Sequence, residues 1–192
     1  VLNISSIPAS QVLVQHCTLW IGFLGAVLAA RKNKLLALTR EPLFKKEEGV
    51  HFGKWIAKVT TFLVLVALSW GSWELVKVEI QYPIDIAPNI PRWFAQFIMP
   101  LGFGLMAVQV YSNSYAKPTH KITLIIICLI FSVSAIPEMI FDILPAVSIG
   151  ILIIIFALLH GAPIFVGLGG AAILLFWGDY TPISAIPAEA YR

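Results

Sequence analysis

The chain is poor in charge. Asp, Glu, Lys and Arg together make up only 12% of its 192 residues, while 59% are hydrophobic and the mean hydropathy is +0.88. Soluble domains carry about 25% charged residues, so this composition excludes them and indicates an integral membrane protein. The two cysteines lie inside apolar runs without metal-ligand spacing around them, and we assign them no role.

The sequence also lacks the residue patterns of catalysis and cofactor binding. It has no nucleophile paired with a base and no cluster of metal ligands, and the glycine-rich stretch 167–171 has no Lys-Ser or Lys-Thr after it, as a phosphate-binding loop would need. The net charge of +3 comes from one loop without interleaved aromatics, so a nucleic-acid partner is not expected. We expect no catalytic, substrate-binding or metal-ligating residue here, and no enzyme activity.

Apolar runs long enough to cross a bilayer recur along the chain. A crossing takes about 20 residues, because a helix rises about 1.5 Å per residue and the hydrocarbon layer is about 30 Å thick. The runs lie at residues 11–30, 55–73, 93–111, 122–141 and 144–177. We expect a kink near the middle of the third run, at Pro100, Gly102 and Gly104. The last run is interrupted at residues 160–163, which predicts a hairpin of two short helices.

The predicted fold class is therefore all-α: a polytopic integral membrane protein of about six transmembrane or half-spanning helices. Its charges predict its orientation. The gaps Arg31 to Lys58 and Tyr111 to Lys121 hold ten of the 13 lysines and arginines, whereas seven of the ten acids lie in the other gaps. Because basic loops stay in the cytoplasm, both basic gaps are predicted to be cytoplasmic in a bacterial inner membrane. The first span then enters from outside, which implies either a missing upstream span or a cleaved signal peptide.

The first basic gap mixes leucines with its cations. Leu35, Leu36 and Leu38 alternate with arginine and lysine, which favours a segment lying along the cytoplasmic headgroups and in contact with membrane lipids. A solvated loop that merely sets the topology explains the pattern equally well.

Few polar residues fall within the predicted spans. We interpret His16 as a histidine packed between helices rather than a proton relay, and His160 as a polar residue at the hairpin break, where a function remains open. Glu138 and Asp142 are expected at the outer surface. Small residues spaced by four let helix backbones approach closely. The candidates for helix packing are Gly22, Ala26, Ala30, Gly167 and Ala171.

Two stretches resemble one known family. Residues 8–13, 19–26 and 29–31, with Trp20 and Gly22 at their centre, resemble the second membrane span of the small subunit of tripartite ATP-independent periplasmic (TRAP) transporters. Residues 159–164, followed by Gly167, Gly169 and Ala171, are similar to the start of the large subunit of the same systems. Fusing the two subunits needs one extra crossing between them, and the run 122–141 would supply it.

The resemblance implies a division of the chain and a function. Residues 1–117 would form a small-subunit region without its first span, 118–143 a connector helix, and 144–192 the first helical hairpin of the large subunit. The whole system would take a small organic acid from a periplasmic substrate-binding protein and import it with a sodium gradient. The large subunit moves by an elevator mechanism and binds the sodium ions beyond residue 192, so this chain would be static scaffold without a cofactor.

Two other classes of function were weighed. A polytopic membrane enzyme would need paired acids or a histidine with an acid at one membrane face, and the pair Glu138 and Asp142 has no such partner. A non-catalytic assembly or accessory membrane protein would lack the re-entrant hairpins that the family has in its large subunit.

Overall fold

The computed structural model describes residues 10–32, 34–38, 47–87, 90–113 and 143–191, and these parts of the chain are mostly helical. A short antiparallel pair of strands, β1 (Asp85–Ala87) and β2 (Ile90–Pro91), is the exception. The all-helical, polytopic fold class is confirmed. The helices are α1 (Ser10–Arg31), α2 (Glu47–Gln81), α3 (Arg92–Gln96), α4 (Ile98–Asn113), α5 (Ile143–Leu159), α6 (Ile164–Gly178) and α7 (Ala185–Tyr191).

Part of the predicted fold falls outside the described residues. The apolar run 122–141 of the predicted connector belongs to this part, as do Glu138, Asp142 and most of the second basic gap. Within the described residues, three helical stretches are long and apolar enough to cross a membrane: Leu13–Arg31, His51–Gln81 and Arg92–Ser112.

The second predicted span is the middle of a much longer helix. Helix α2 has 35 residues, or about 50 Å at 1.5 Å per residue, and so exceeds a hydrocarbon layer of about 30 Å. The expectation that the basic gap continues as a loop to Lys58 was wrong, since residues 47–58 are helical. A helix bonds its own backbone in water as well as in lipid, so hydropathy marks the edge of the apolar layer and not the end of the helix.

The third predicted span has a local irregularity at Phe97, between α3 and α4, one turn before Pro100. The helix then continues through Pro100, Gly102 and Gly104. Proline has no N–H and its ring clashes with the carbonyl four residues earlier. That carbonyl belongs to Gln96, so the disturbance falls one turn before the proline.

The break of the last apolar run into a hairpin is confirmed. Helix α5 ends at Leu159 in a Schellman motif, in which the N–H of Ala162 donates to the carbonyl of Ala157 at 2.9 Å. Gly161, with a φ of 94°, occupies the left-handed position that this motif requires. Pro163 then precedes α6 with an extended backbone. The helix end and the next helix start are therefore encoded within four residues.

Helix α2 is the centre of the bundle. It packs against α4 on one side and against α5, α6 and α7 on the other, while α1 packs mainly against α4. More than half of the residues in its span are buried, against 11% in α1. One apolar cluster joins Val64, Ala67 and Leu68 of α2 to Val166 and Ile173 of α6. A second joins Leu65 of α2 to residues of α1 and α4.

Glycines in α6 allow this helix to approach its neighbours closely. A Cβ placed at Gly170 would lie 2.8 Å from Cδ1 of Ile154 in α5 and 3.1 Å from Cγ2 of Val64 in α2. Both distances are shorter than an ordinary van der Waals contact. In lipid, where apolar surface is not driven from water, such close packing is a main source of helix association.

We predict that Gly170→Leu lowers the thermal unfolding temperature of the purified chain in detergent, because the new side chain overpacks the contact among three helices. Overpacking of this kind costs about 1–3 kcal/mol. The matched control is Gly25→Leu, since a Cβ at Gly25 meets no atom within 4 Å. Equal unfolding temperatures for the two variants would contradict this account of how α6 packs against α2 and α5.

Candidate functional site

We call the contact between α2 and the α5–α6 hairpin the seam. At the end near the hairpin turn, the seam is built from very small side chains. Ala57 of α2 contacts Ala157 and Ala162 in a buried cluster. One turn earlier in α2, Gly53 lies against the ring of His160, so closely that any Cβ at Gly53 would clash with the imidazole. Glycine at this position is therefore what lets α2 pack onto the hairpin turn.

His160 is a buried part of this turn. Its side chain lies over Phe156, with ring centroids 4.1 Å apart, and its Nδ1 is 2.8 Å from the Phe156 carbonyl oxygen. Since a carbonyl can only accept, Nδ1 carries the proton and donates it. The histidine therefore bonds a carbonyl in the last turn of α5, where helical carbonyls lose their usual partners. This contact fixes its orientation against α2.

A short extended segment, residues 34–38, joins the basic gap to the same turn. Ala37 forms a β-bridge with Pro163, and the N–H of Ile164 donates to the carbonyl of Leu36 at 2.9 Å. The first N–H of α6 is thus satisfied by the segment that follows α1. No local pattern predicts this bond, because it joins residues that are more than a hundred positions apart.

The packing candidates fall into two groups. Ala30 is buried in the cluster of α1, α2 and α4, and Ala26 packs against it; Gly167 is buried against Leu158 of α5. Gly22 differs, because a Cβ there would meet no atom within 4 Å. It lines an open apolar groove of about 560 Å³ together with Ala26, Phe23 and Phe165. Ala171 in α6 is partly buried.

His16 in α1 is not one of the packing candidates, but it is buried, with 5% of its surface exposed.

A cap with both charged and apolar side chains closes the other end of the bundle. We define the outer cap as residues 74–87 and 90–92, which comprise the end of α2, the strand pair and the start of α3. Arg92 makes two contacts within the outer cap. Its backbone N–H donates to the Ile84 carbonyl at 2.9 Å, and its guanidinium Nη1 lies 3.5 Å from Oε1 of Glu79. The Glu79 side chain is only 13% exposed, so solvent screens this pair weakly.

Sequence reasoning missed the pair of Glu79 and Arg92. The sequence signal for this pair was a glutamate and an arginine 13 residues apart, on either side of a turn sequence. A second pair, Lys77 with Glu74 at 2.8 Å, is much more exposed, with 45% and 37% of the side chains accessible. Such surface pairs contribute little to stability.

The membrane-level surface between α2 and α4 is an apolar groove. It encloses about 680 Å³ and is lined by Phe62, Val66, Trp70, Leu101 and Val108, among others. None of the described residues that line it is charged. Among the described residues, no group of three or more His, Cys, Asp or Glu is placed to hold a metal ion. The described spans thus offer close helix contacts and apolar grooves, with their charged groups at the two ends.

Comparison with known proteins places the chain in one family. Residues 1–117 match the model for tripartite ATP-independent periplasmic transporters, DctQ component. The chain is similar to the isethionate TRAP transporter permease protein DctMQ of Oleidesulfovibrio alaskensis, with 29% identity over 170 residues, which is 85% of this chain. The match spans only 26% of that relative's length. No solved structure matches the chain.

The family model covers more than half of the chain, and the relative carries the names of both membrane subunits. The resemblance seen in the sequence is thereby confirmed. Together with its apolar helices, these matches establish the chain as part of a multi-pass membrane protein that belongs to the tripartite ATP-independent periplasmic transporters.

Proposed function

We propose that this chain is the membrane scaffold part of a sodium-driven secondary transporter that imports a small organic acid delivered by a periplasmic binding protein. The observation that supports a scaffold most directly is the seam along α2, where buried Ala57, Val64 and Leu68 hold the helix against the hairpin. Groups that bind a charged solute or sodium are expected elsewhere in the large subunit. A similar permease is named for isethionate, a small sulfonic acid, which makes that acid the first substrate to test.

The division proposed from the sequence fits this role. Residues 1–117 form the small-subunit region, 118–143 the connector and 144–192 the first hairpin of the large subunit. In these terms, α2 belongs to the small subunit and α5 and α6 belong to the large one. The seam between α2 and the hairpin is therefore the contact through which the small subunit braces the large subunit.

The outer cap is the proposed docking surface for the periplasmic binding protein. Val78, Ile80, Tyr82 and Ile84 are each at least 50% exposed, and they lie beyond the tryptophans Trp70 and Trp73 that end the apolar span. Apolar side chains that project past the membrane interface into water are typical of protein contact sites. The ion pair of Glu79 with Arg92 would hold this surface in shape.

Uptake by the reconstituted transporter tests the proposal. The full coding sequence that contains this chain, together with its binding protein, is expected to accumulate labelled isethionate or a related small organic acid in proteoliposomes. Accumulation should require both the binding protein and an inward sodium gradient, because the gradient drives the transport. A potassium gradient of equal size is the control. Uptake that needs neither the gradient nor the binding protein would refute the proposal.

The orientation predicts which loops can be labelled from each side. In a chain with Cys17 and Cys128 replaced by alanine, single cysteines at Asn33 and Asn113 should react with an impermeant maleimide only in inside-out vesicles. A cysteine at Asn89, in the sequence between β1 and β2, should react only in intact spheroplasts. The reason is that excess lysine and arginine keep the first two sites in the cytoplasm. Labelling of Asn33 and Asn89 from the same side would contradict the orientation.

Weakening the outer cap should impair docking. We expect Arg92→Gln to raise, several-fold, the concentration of binding protein that gives half-maximal uptake, since it leaves the poorly exposed Glu79 carboxylate without its partner. The double variant Glu79→Arg with Arg92→Glu should recover much of the loss by restoring the pair in reverse. Lys77→Gln, which breaks only the exposed pair, is the control. A loss that is equal for Arg92→Gln and Lys77→Gln would show that the cap does not act through this ion pair.

A further inference from the structure

The extended segment 34–38 holds two leucines in a fixed, exposed position. Successive side chains of an extended chain point to opposite sides. Leu35 packs into the cluster of α1, α2 and α4, whereas Leu36 and Leu38 point away from it and are 74% and 61% exposed. Because Ala37 bridges to Pro163 and the Leu36 carbonyl accepts from Ile164, the backbone that carries the leucines is fixed to the hairpin turn.

Exposed cations lie at the same end of the bundle as these two leucines. Arg31, Lys32 and Lys34 are exposed on the residues just before them. Lys54 is exposed on α2 at the same end of the bundle, one residue from Gly53, which contacts the hairpin turn. In the sequence, the whole gap from residue 31 to residue 58 has eight cations against three acids. This end of the bundle therefore combines exposed apolar side chains with a net positive charge.

We propose that Arg31, Lys32, residues 34–38 and Lys54 form a binding surface for acidic phospholipids of the bilayer. Leucine side chains enter the boundary between headgroups and acyl chains, while lysine and arginine reach the phosphates. Each cation near an acidic lipid surface strengthens binding by a factor of about 5. A covering protein fits less well, because lysine is depleted where protein surfaces meet. Of the two interpretations of the basic gap, the proposal favours a segment that lies along the headgroups over a solvated loop.

Lipid binding at this surface would also restrain the hairpin turn, which forms one end of the seam. The bond from Ile164 to Leu36 and the bridge from Ala37 to Pro163 connect the leucines to the turn that holds His160 against Gly53. An acidic lipid that immobilises residues 34–38 therefore immobilises the hairpin turn. The inference depends on the membrane location of the chain and not on what the transporter carries, so it stands or falls independently of the proposed function.

Titration with two lipids tests the charge dependence. Native mass spectrometry of the purified chain in detergent would measure the apparent dissociation constants of dioleoyl-phosphatidylglycerol and dioleoyl-phosphatidylcholine. We expect a clear preference for the acidic lipid, reduced about 30-fold in Lys32→Gln with Lys34→Gln, because two factors of about 5 are lost. Lys77→Gln, at the opposite end of the bundle, should keep the preference. Equal affinities for both lipids, or a preference unchanged in the double variant, would overturn the proposal.

A second measurement tests the position of the leucines. A fluorophore on Leu38→Cys, in a chain with Cys17 and Cys128 replaced by alanine, should be quenched by lipids brominated near the top of the acyl chain. The quenching should be stronger in bilayers that contain phosphatidylglycerol than in bilayers of phosphatidylcholine alone. A fluorophore that no brominated lipid quenches would show that this side chain faces water or protein, which would also overturn the proposal.

Discussion

In a hydrocarbon layer, a backbone N–H or C=O has no partner outside the protein, and the arrangement of this chain follows from that constraint. The two interruptions of its membrane helices show how strictly it is met. At the hairpin, the Schellman motif, His160 and Leu36 bond the groups that the break exposes. Beside Phe97, the indole N–H of Trp20 donates to the Ala95 carbonyl at 3.1 Å, and the Ser69 hydroxyl donates to the Pro100 carbonyl at 3.0 Å. The hairpin is thus supported by its own turn and by segment 34–38, and the irregular turn at Phe97 by side chains of α1 and α2.

These bonds also determine which helices must stay together. Ser69 belongs to α2 and Trp20 to α1, so the broken third span depends on both of its neighbours for its backbone bonding. Within lipid, apolar contact alone gives little preference for one neighbour over another. Close approach at Gly53 and Gly170, combined with backbone bonds between elements, therefore specifies the bundle. Helix α2 takes part on both sides, which is why the small-subunit region and the hairpin form one continuous packing unit.

The sequence predicted the features that depend on local composition. Lipid burial leaves a direct record in hydropathy, so the spans that fall in the described residues were placed correctly. Gly161 with Pro163 encodes the hairpin break within a few residues. Features that depend on distant partners could not be read in this way. Gly22 and Gly170 look alike in sequence, yet only Gly170 has side chains from two other helices against it. The pair of Glu79 and Arg92 likewise requires the hairpin that brings its members together.

The length of α2 gives the scaffold a further property, a fixed depth in the membrane. The helix exceeds the hydrocarbon layer by about 10 Å at each end, and both ends carry charge: Lys54 on one side, and Glu79 with its partner Arg92 on the other. Lys58, one turn further along α2, can snorkel to the interface. Sliding the helix by two turns would nevertheless carry Lys54 or Glu79 into the apolar layer, at a cost of several kcal/mol for each charge. The seam on α2 is therefore held at a constant height.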